Sequence, residues 1–152
     1  MTLRSLDLQL LHFSRKISIP MARFGFFVIF FWFGFLKVLD LSPASALVQS
    51  LFERTIPFMG FPTFMFLFGL LECLIGVLFL IPKLERLAFG LLLAHMATTF
   101  MPLFLLPEIT WSALLVPTLE GQYIIKNLAL IASALGVIAH LHPIHAHRIF
   151  KK

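Results

Sequence analysis

Residues 61–81, FPTFMFLFGLLECLIGVLFLI, form an apolar run with a single charge, Glu72, near its middle. As a helix rising about 1.5 Å per residue, the run spans the roughly 30 Å hydrocarbon core of a bilayer. A carboxylate at that depth costs about 2.5–3.5 kcal/mol even on insertion-based scales. Glu72 is therefore expected to turn away from lipid and to find a partner on another helix. That requirement constrains how the rest of the chain packs.

The composition agrees with a membrane setting. Of 152 residues, 60% are hydrophobic and 12% charged, where a soluble domain carries about 25% charged residues. The chain reads as one integral membrane domain. Its net charge of +5 does not indicate nucleic-acid binding, because the basic residues gather at the chain ends and in one short loop, where membrane topology accounts for them. The single Cys73 excludes an internal disulfide, a CxxC redox pair and a cysteine-based metal site. No metal site is expected. Most of the 19 Phe residues are accounted for by lipid contact and core packing.

In residues 1–20, Leu3, Leu6, Leu10 and Phe13 recur at helical spacing among Arg4, Asp7, Arg15 and Lys16. Two readings compete: a short amphipathic helix lying on the membrane surface and ending near Pro20, or a flexible basic terminus. Four spans follow, at about residues 24–40, 61–81, 87–106 and 123–141. An A-x-A-like sequence, Ala44–Ser45–Ala46, follows the first span and raises a cleaved signal peptide. The basic region ahead of that span is too long for one, and Lys37 interrupts its apolar part, so the span is read as retained. Ser42 and Pro43 predict the cap and first residue of a short outer helix over residues 43–52. Residues 82–86, PKLER, form a tight turn. Pro102 is expected to kink the third span and Pro107 to stop it. Residues 108–122 read as a polar loop without Lys or Arg.

Lys and Arg counts orient the spans. Arg4, Arg15, Lys16 and Arg23 precede the first, Lys83 and Arg86 lie between the second and third, and Arg148, Lys151 and Lys152 end the chain. Of the other two loops, one has Arg54 and the other has no basic residue. The expectation is an all-α membrane protein, an antiparallel four-transmembrane-helix bundle with both termini cytoplasmic.

Depth groups the polar residues. Glu72 and His95 lie equally far from the PKLER turn, about 13–14 Å into the membrane, so a Glu72–His95 hydrogen bond is the simplest way to satisfy both. Lys37, Lys126 and Asn127 lie near the outer surface, with Glu120 above them, and Thr99 is one turn above His95. These residues are expected to form a polar funnel, with Glu72 and His95 as its chemical groups and Lys37, Lys126, Asn127, Thr99 and Glu120 as ligand contacts. Gly69, Glu72 and Gly76 share one helix face, Gly34 lies one turn from Lys37, and Ala129, Ser133 and Gly136 line the fourth span. Small residues let membrane helices approach closely, so these faces are the inward ones. Against this stands a structural ion pair, or snorkelling of the two lysines to the outer headgroups. Glu85 is expected to pair locally with Lys83 or Arg86, or to be hydrated. His140, His142, His145 and His147 suggest metal binding only weakly, since Pro143 breaks their periodicity, and a basic tail near anionic lipid is preferred.

FFWFGFLKVLD, GLLECLIGVLFLIP, AHMATTFMP and YIIKNLALIASAL, in this order, resemble the DoxX-like superfamily of small four-helix membrane proteins. The WxGxLK pattern and the Thr–Thr–x–x–Pro before Pro107–Glu108 look more like its YkgB/RclC-type branch. The resemblance covers about residues 21–140. It implies a bacterial inner-membrane protein tied to redox processes or oxidative-stress defence, with Lys37, Glu72 and Lys126 at matching positions and Asn127 where relatives often carry an acid. A quinone headgroup held by the funnel, with a redox partner protein or a homo-oligomer around it, is the first functional expectation. No flavin, haem or iron–sulfur motif is present. The alternatives are a non-enzymatic assembly protein and a small transporter, the latter without the inverted repeats such proteins carry.

Overall fold

The computed structural model describes residues 3–56 and 58–141. It is mostly helical, and four of its helices are long and apolar enough to cross a membrane. This marks the chain as a multi-pass membrane protein. The elements are α1 (Leu3–Val38), α2 (Ser45–Thr55), α3 (Phe61–Leu80), α4 (Glu85–Phe100), α5 (Pro102–Leu105), α6 (Pro107–Thr110), β1 (Trp111–Ala113), β2 (Val116–Pro117) and α7 (Leu119–Ala139). Helix α1 packs most extensively on α3; α4 touches α3 and α7, and α7 returns to α1.

The close fit of α1 on α3 is made by glycine. A Cβ on Gly34 would stand 2.6 Å from the Gly69 carbonyl oxygen and 2.7 Å from the Cys73 nitrogen. A Cβ on Gly69 would meet the Gly34 carbonyl oxygen at 2.6 Å, and one on Gly76 the Phe31 nitrogen at 2.8 Å. The two backbones are in van der Waals contact there, which only residues without a side chain allow. Below this contact lies an apolar core built from Phe26, Phe30, Ile75, Phe79, Leu92 and Met96, closed on the α7 side by Ala134 and Val137.

Several sequence expectations change. Helix α1 does not end near Pro20; it runs through that proline as one helix of 36 residues. Proline removes one hydrogen bond but leaves the turns on either side intact, and apolar side chains on both sides favour continuation. The short outer helix begins at Ser45, two residues later than Ser42 and Pro43 suggest, because the Ser42 hydroxyl accepts a bond from the Ala44 amide at 3.3 Å in the turn outside it. The polar loop is structured and is not wholly helical. It holds α6 and the hairpin β1–β2, whose tip places Leu115 at φ 59°. The Trp111 indole N–H donates to the Leu103 carbonyl at 3.0 Å, and the Thr110 hydroxyl to that of Leu106 at 3.0 Å. The Thr118 hydroxyl donates to the Ile109 carbonyl at 2.7 Å and accepts from the Gly121 amide at 3.2 Å, capping α7. These bonds fasten the hairpin over the end of the membrane segment.

As Pro102 and Pro107 suggest, the third membrane segment is broken once, between α4 and α5, and ends at Leu105, with the short α6 starting at Pro107 beyond it. The turn between α3 and α4 is made without glycine, with Lys83 at φ 75°. Glu85 does not pair with Lys83. It is buried and binds Arg23 Nη1 at 3.0 Å, while Arg23 Nε and Nη2 donate to the Phe79 and Leu80 carbonyls at 2.7 and 3.0 Å. One guanidinium thus caps α3, neutralises the first residue of α4 and ties both to α1.

Candidate functional site

The buried charges meet at the glycine contact. Gly34 precedes Lys37 by one turn of α1, and Gly69 precedes Glu72 by three residues on α3, so the backbone approach delivers both side chains to the same point. Lys37 Nζ donates to Glu72 Oε2 at 2.6 Å. The other carboxylate oxygen, Glu72 Oε1, stands 3.3 Å from His95 Nε2 on α4. Lys37, Glu72 and His95 are 8%, 5% and 6% exposed. The three helices therefore converge on a single carboxylate, with a cation on one side and an imidazole on the other.

Aromatic rings enclose the imidazole. Phe68 lies stacked on it at 4.9 Å between centroids, and Phe30 meets it edge-on at 5.6 Å. The Lys37 ammonium is 5.7 Å from the Phe68 centroid. A row of rings continues outward from Phe68 to Phe64 at 5.4 Å and from Phe64 to Phe52 of α2 at 5.0 Å. Phe68 is half-buried, so it is the ring between His95 and the exterior of the fold.

One atom in this group is left over. Among the described residues, His95 Nδ1 is the only buried side-chain nitrogen or oxygen without a hydrogen-bond partner. Buried polar atoms are nearly always satisfied, because an unmade bond costs about 1–3 kcal/mol. A carboxylate beside Nε2 favours the tautomer with its proton there, which leaves Nδ1 a lone-pair acceptor. The group is thus suited to take a hydrogen bond from an O–H or N–H donor and to relay a proton toward Glu72.

The remaining residues named from sequence are dispersed. The Thr99 hydroxyl donates to the His95 backbone carbonyl at 3.0 Å, as Thr98 does at 2.7 Å, so neither extends a path from the imidazole. Lys126 is exposed and lies over the Tyr123 ring at 4.8 Å. Asn127 is half-buried, and Glu120 is exposed in the first turn of α7. None of these three joins the Lys37–Glu72–His95 group, so the funnel reduces to that group. Sequence reasoning missed Phe68 and Phe30, whose identity as enclosing rings depends on helix rotation, and Arg23, whose partners are 56 and 57 residues away. Among the described residues, no three His, Cys, Asp or Glu side chains gather closely enough to hold a metal ion. His140 Nδ1 is 2.7 Å from the Gly136 carbonyl; His142, His145 and His147 lie outside the described residues. Two surface concavities, one between Phe13, Ile17 and Ser133 and one beside the hairpin at Trp111, contain no member of the group.

No family model, curated protein or solved structure matches the chain.

Proposed function

We propose that the chain is a DoxX-like inner-membrane subunit of a redox or oxidative-stress-defence process, binding the headgroup of a quinol or quinone at Lys37, Glu72 and His95. The observation that carries this reading is the unpartnered His95 Nδ1, buried beside a carboxylate and under a planar ring. A quinol hydroxyl donates to Nδ1, and its ring takes the stacking position of Phe68 when that side chain swings aside. Glu72 receives the proton through the imidazole, and Lys37 balances the carboxylate charge. Electrons pass to or from a partner protein, since the chain has no motif for a redox centre of its own. The four membrane helices form an antiparallel bundle with both termini cytoplasmic. The distribution of Lys and Arg supports that orientation, and the contacts of α1 with α3 and α7, and of α4 with both, support the bundle.

The test is extraction of the purified protein for retained quinone, together with thermal unfolding in the presence of short-chain quinol and quinone analogues. Wild type should carry quinone and be stabilised by the quinol analogue. His95→Phe, which keeps the ring and removes both nitrogens, should lose the stabilisation. No retained quinone and no stabilisation by either analogue would sink the proposal.

A second reading is a non-enzymatic assembly protein in which the three residues only fix helix register. The closed packing of Phe30 and Phe68 around the imidazole favours it. Under this reading Glu72→Gln leaves partner capture intact.

A further inference from the structure

Helix α2 closes the row of rings that leads out from His95. Phe61, Phe64 and Phe68 belong to α3, and Phe64 and Phe68, four residues apart, share one face of it. Phe52 is the ring that another element supplies. It stands 5.0 Å from Phe64 and 5.5 Å from Phe61 between centroids. Phe52 is also the only buried residue of α2; the others are half-buried or exposed.

Two residues on, Arg54 reaches across to the end of the third membrane segment. Its Nη1 donates to the Leu105 carbonyl and its Nη2 to the Glu108 carboxylate. The two side chains of this ion pair are 53% and 52% exposed. A pair so far into solvent contributes little to stability and is readily broken and remade. Arg54 is the only Lys or Arg between Lys37 and Lys83, so its release leaves α2 with no second cation for Glu108. One buried ring and one solvated latch are the main attachments of this helix. Segments with so few buried contacts are the ones that open locally.

We propose that α2 is a lid, that it opens by releasing Arg54 from Glu108 and Leu105, and that its opening admits a ligand to His95 along the Phe61–Phe64–Phe68 face of α3. While the lid is shut, Phe68 covers the imidazole, Phe64 packs on Phe68 and Phe52 packs on Phe64. In a packed row the inner ring moves only if the outer ones give way. The other elements around the group are fixed. Helices α1 and α3 are joined backbone to backbone at Gly34 and Gly69 and by the buried Lys37–Glu72 pair, and Glu85 at the start of α4 is held by Arg23. That leaves α2 as the element whose movement frees the end of the row, as lids do over buried sites. The purpose of the lid rests on the reading of His95 as a ligand site. The readouts below contain no quinone, so the two ideas fail separately.

Thiol reactivity tests the lid. In a Cys73→Ser background, Phe64→Cys places a thiol under Phe52, Thr63→Cys places one at an exposed neighbour, and Ile75→Cys places one in the apolar core. With the latch intact, N-ethylmaleimide should modify position 64 at least ten times more slowly than position 63. Adding Arg54→Glu, which sets two carboxylates against each other, should raise the rate at position 64 at least fivefold and leave position 75 unchanged. The swap Arg54→Glu/Glu108→Arg should remove at least half of that rise, because it remakes the ion pair. Equal rates at positions 63 and 64 with the latch intact would overturn the proposal. So would no rise with Arg54→Glu, a parallel rise at position 75, or a swap that restores nothing. A second measurement keeps Phe64 in place: spin labels at Gln49→Cys on α2 and Gln122→Cys on α7, both exposed positions. One distance is expected with the latch intact and an added longer population with Arg54→Glu; an unchanged distribution would equally overturn the lid.

Discussion

Lys37 Nζ stands 2.6 Å from Glu72 Oε2 where α1 and α3 touch backbone to backbone, and both side chains are more than nine-tenths buried. Removing one partner leaves the other as an unbalanced charge in a low-dielectric interior, which costs about 3–5 kcal/mol. Lys37→Met or Glu72→Leu alone should therefore lower the unfolding midpoint in detergent strongly. The double variant should recover most of the loss, since two apolar groups of similar volume need no partner. Additive losses in that cycle would mean that the two residues do not act as a pair.

The glycine contact yields the second prediction. Gly34→Ala and Gly69→Ala each force a methyl group into the opposing backbone, which cannot move aside as a side chain would. Overpacking of this kind costs about 1–3 kcal/mol, and it also pushes Lys37 away from Glu72. Gly90 has open space at its Cβ. Gly90→Ala should be neutral or stabilising by up to about 1 kcal/mol, because alanine is the better helix former. Thermal unfolding of the three variants side by side checks the ranking. Equal effects at all three positions would contradict the close approach.

What the sequence made legible follows from depth. The spacing of Glu72 and His95 from one tight turn puts them at the same level, and Gly69 and Gly76 mark the face of α3 that meets another backbone. The structure joins the two side chains at 3.3 Å. Depth alone does not fix rotation about a helix axis. Lys126 lies within two turns of one end of its span, as Lys37 does, yet it is exposed beside Tyr123 while Lys37 is buried. Nothing local to Lys126 carries that difference; it comes from how α7 packs on α1 and α4. The same limit hid the Arg23–Glu85 pair, because a basic residue at a span end reads equally well as a headgroup contact.

Arg23 supports the third prediction. Its guanidinium satisfies two carbonyls at the end of α3 and the buried carboxylate of Glu85 at once. A lysine ammonium is a single point charge and cannot reproduce that fork. Arg23→Lys should therefore lose nearly as much stability as Arg23→Met, about 2–4 kcal/mol. Glu85→Gln should cost less, since the neutral amide still accepts a hydrogen bond. Full rescue by lysine would show that charge alone suffices.

Orientation can be read directly from the two ends of the fold. Leu114, at the tip of the hairpin, is 91% exposed, and Lys83 is exposed in the turn between α3 and α4. Substituting a single cysteine at each position, in a Cys73→Ser background, places a thiol at opposite ends of α4 and its continuation. If the basic loop is cytoplasmic, a membrane-impermeant maleimide should label Leu114→Cys in intact spheroplasts and should label Lys83→Cys only after the membrane is opened. The reverse pattern would invert the topology and place the Arg23–Glu85 clamp outside. Labelling of both positions in intact spheroplasts would mean that the helices between them do not cross the bilayer, and Glu72 would lose the apolar setting that makes its pairing with Lys37 and His95 necessary.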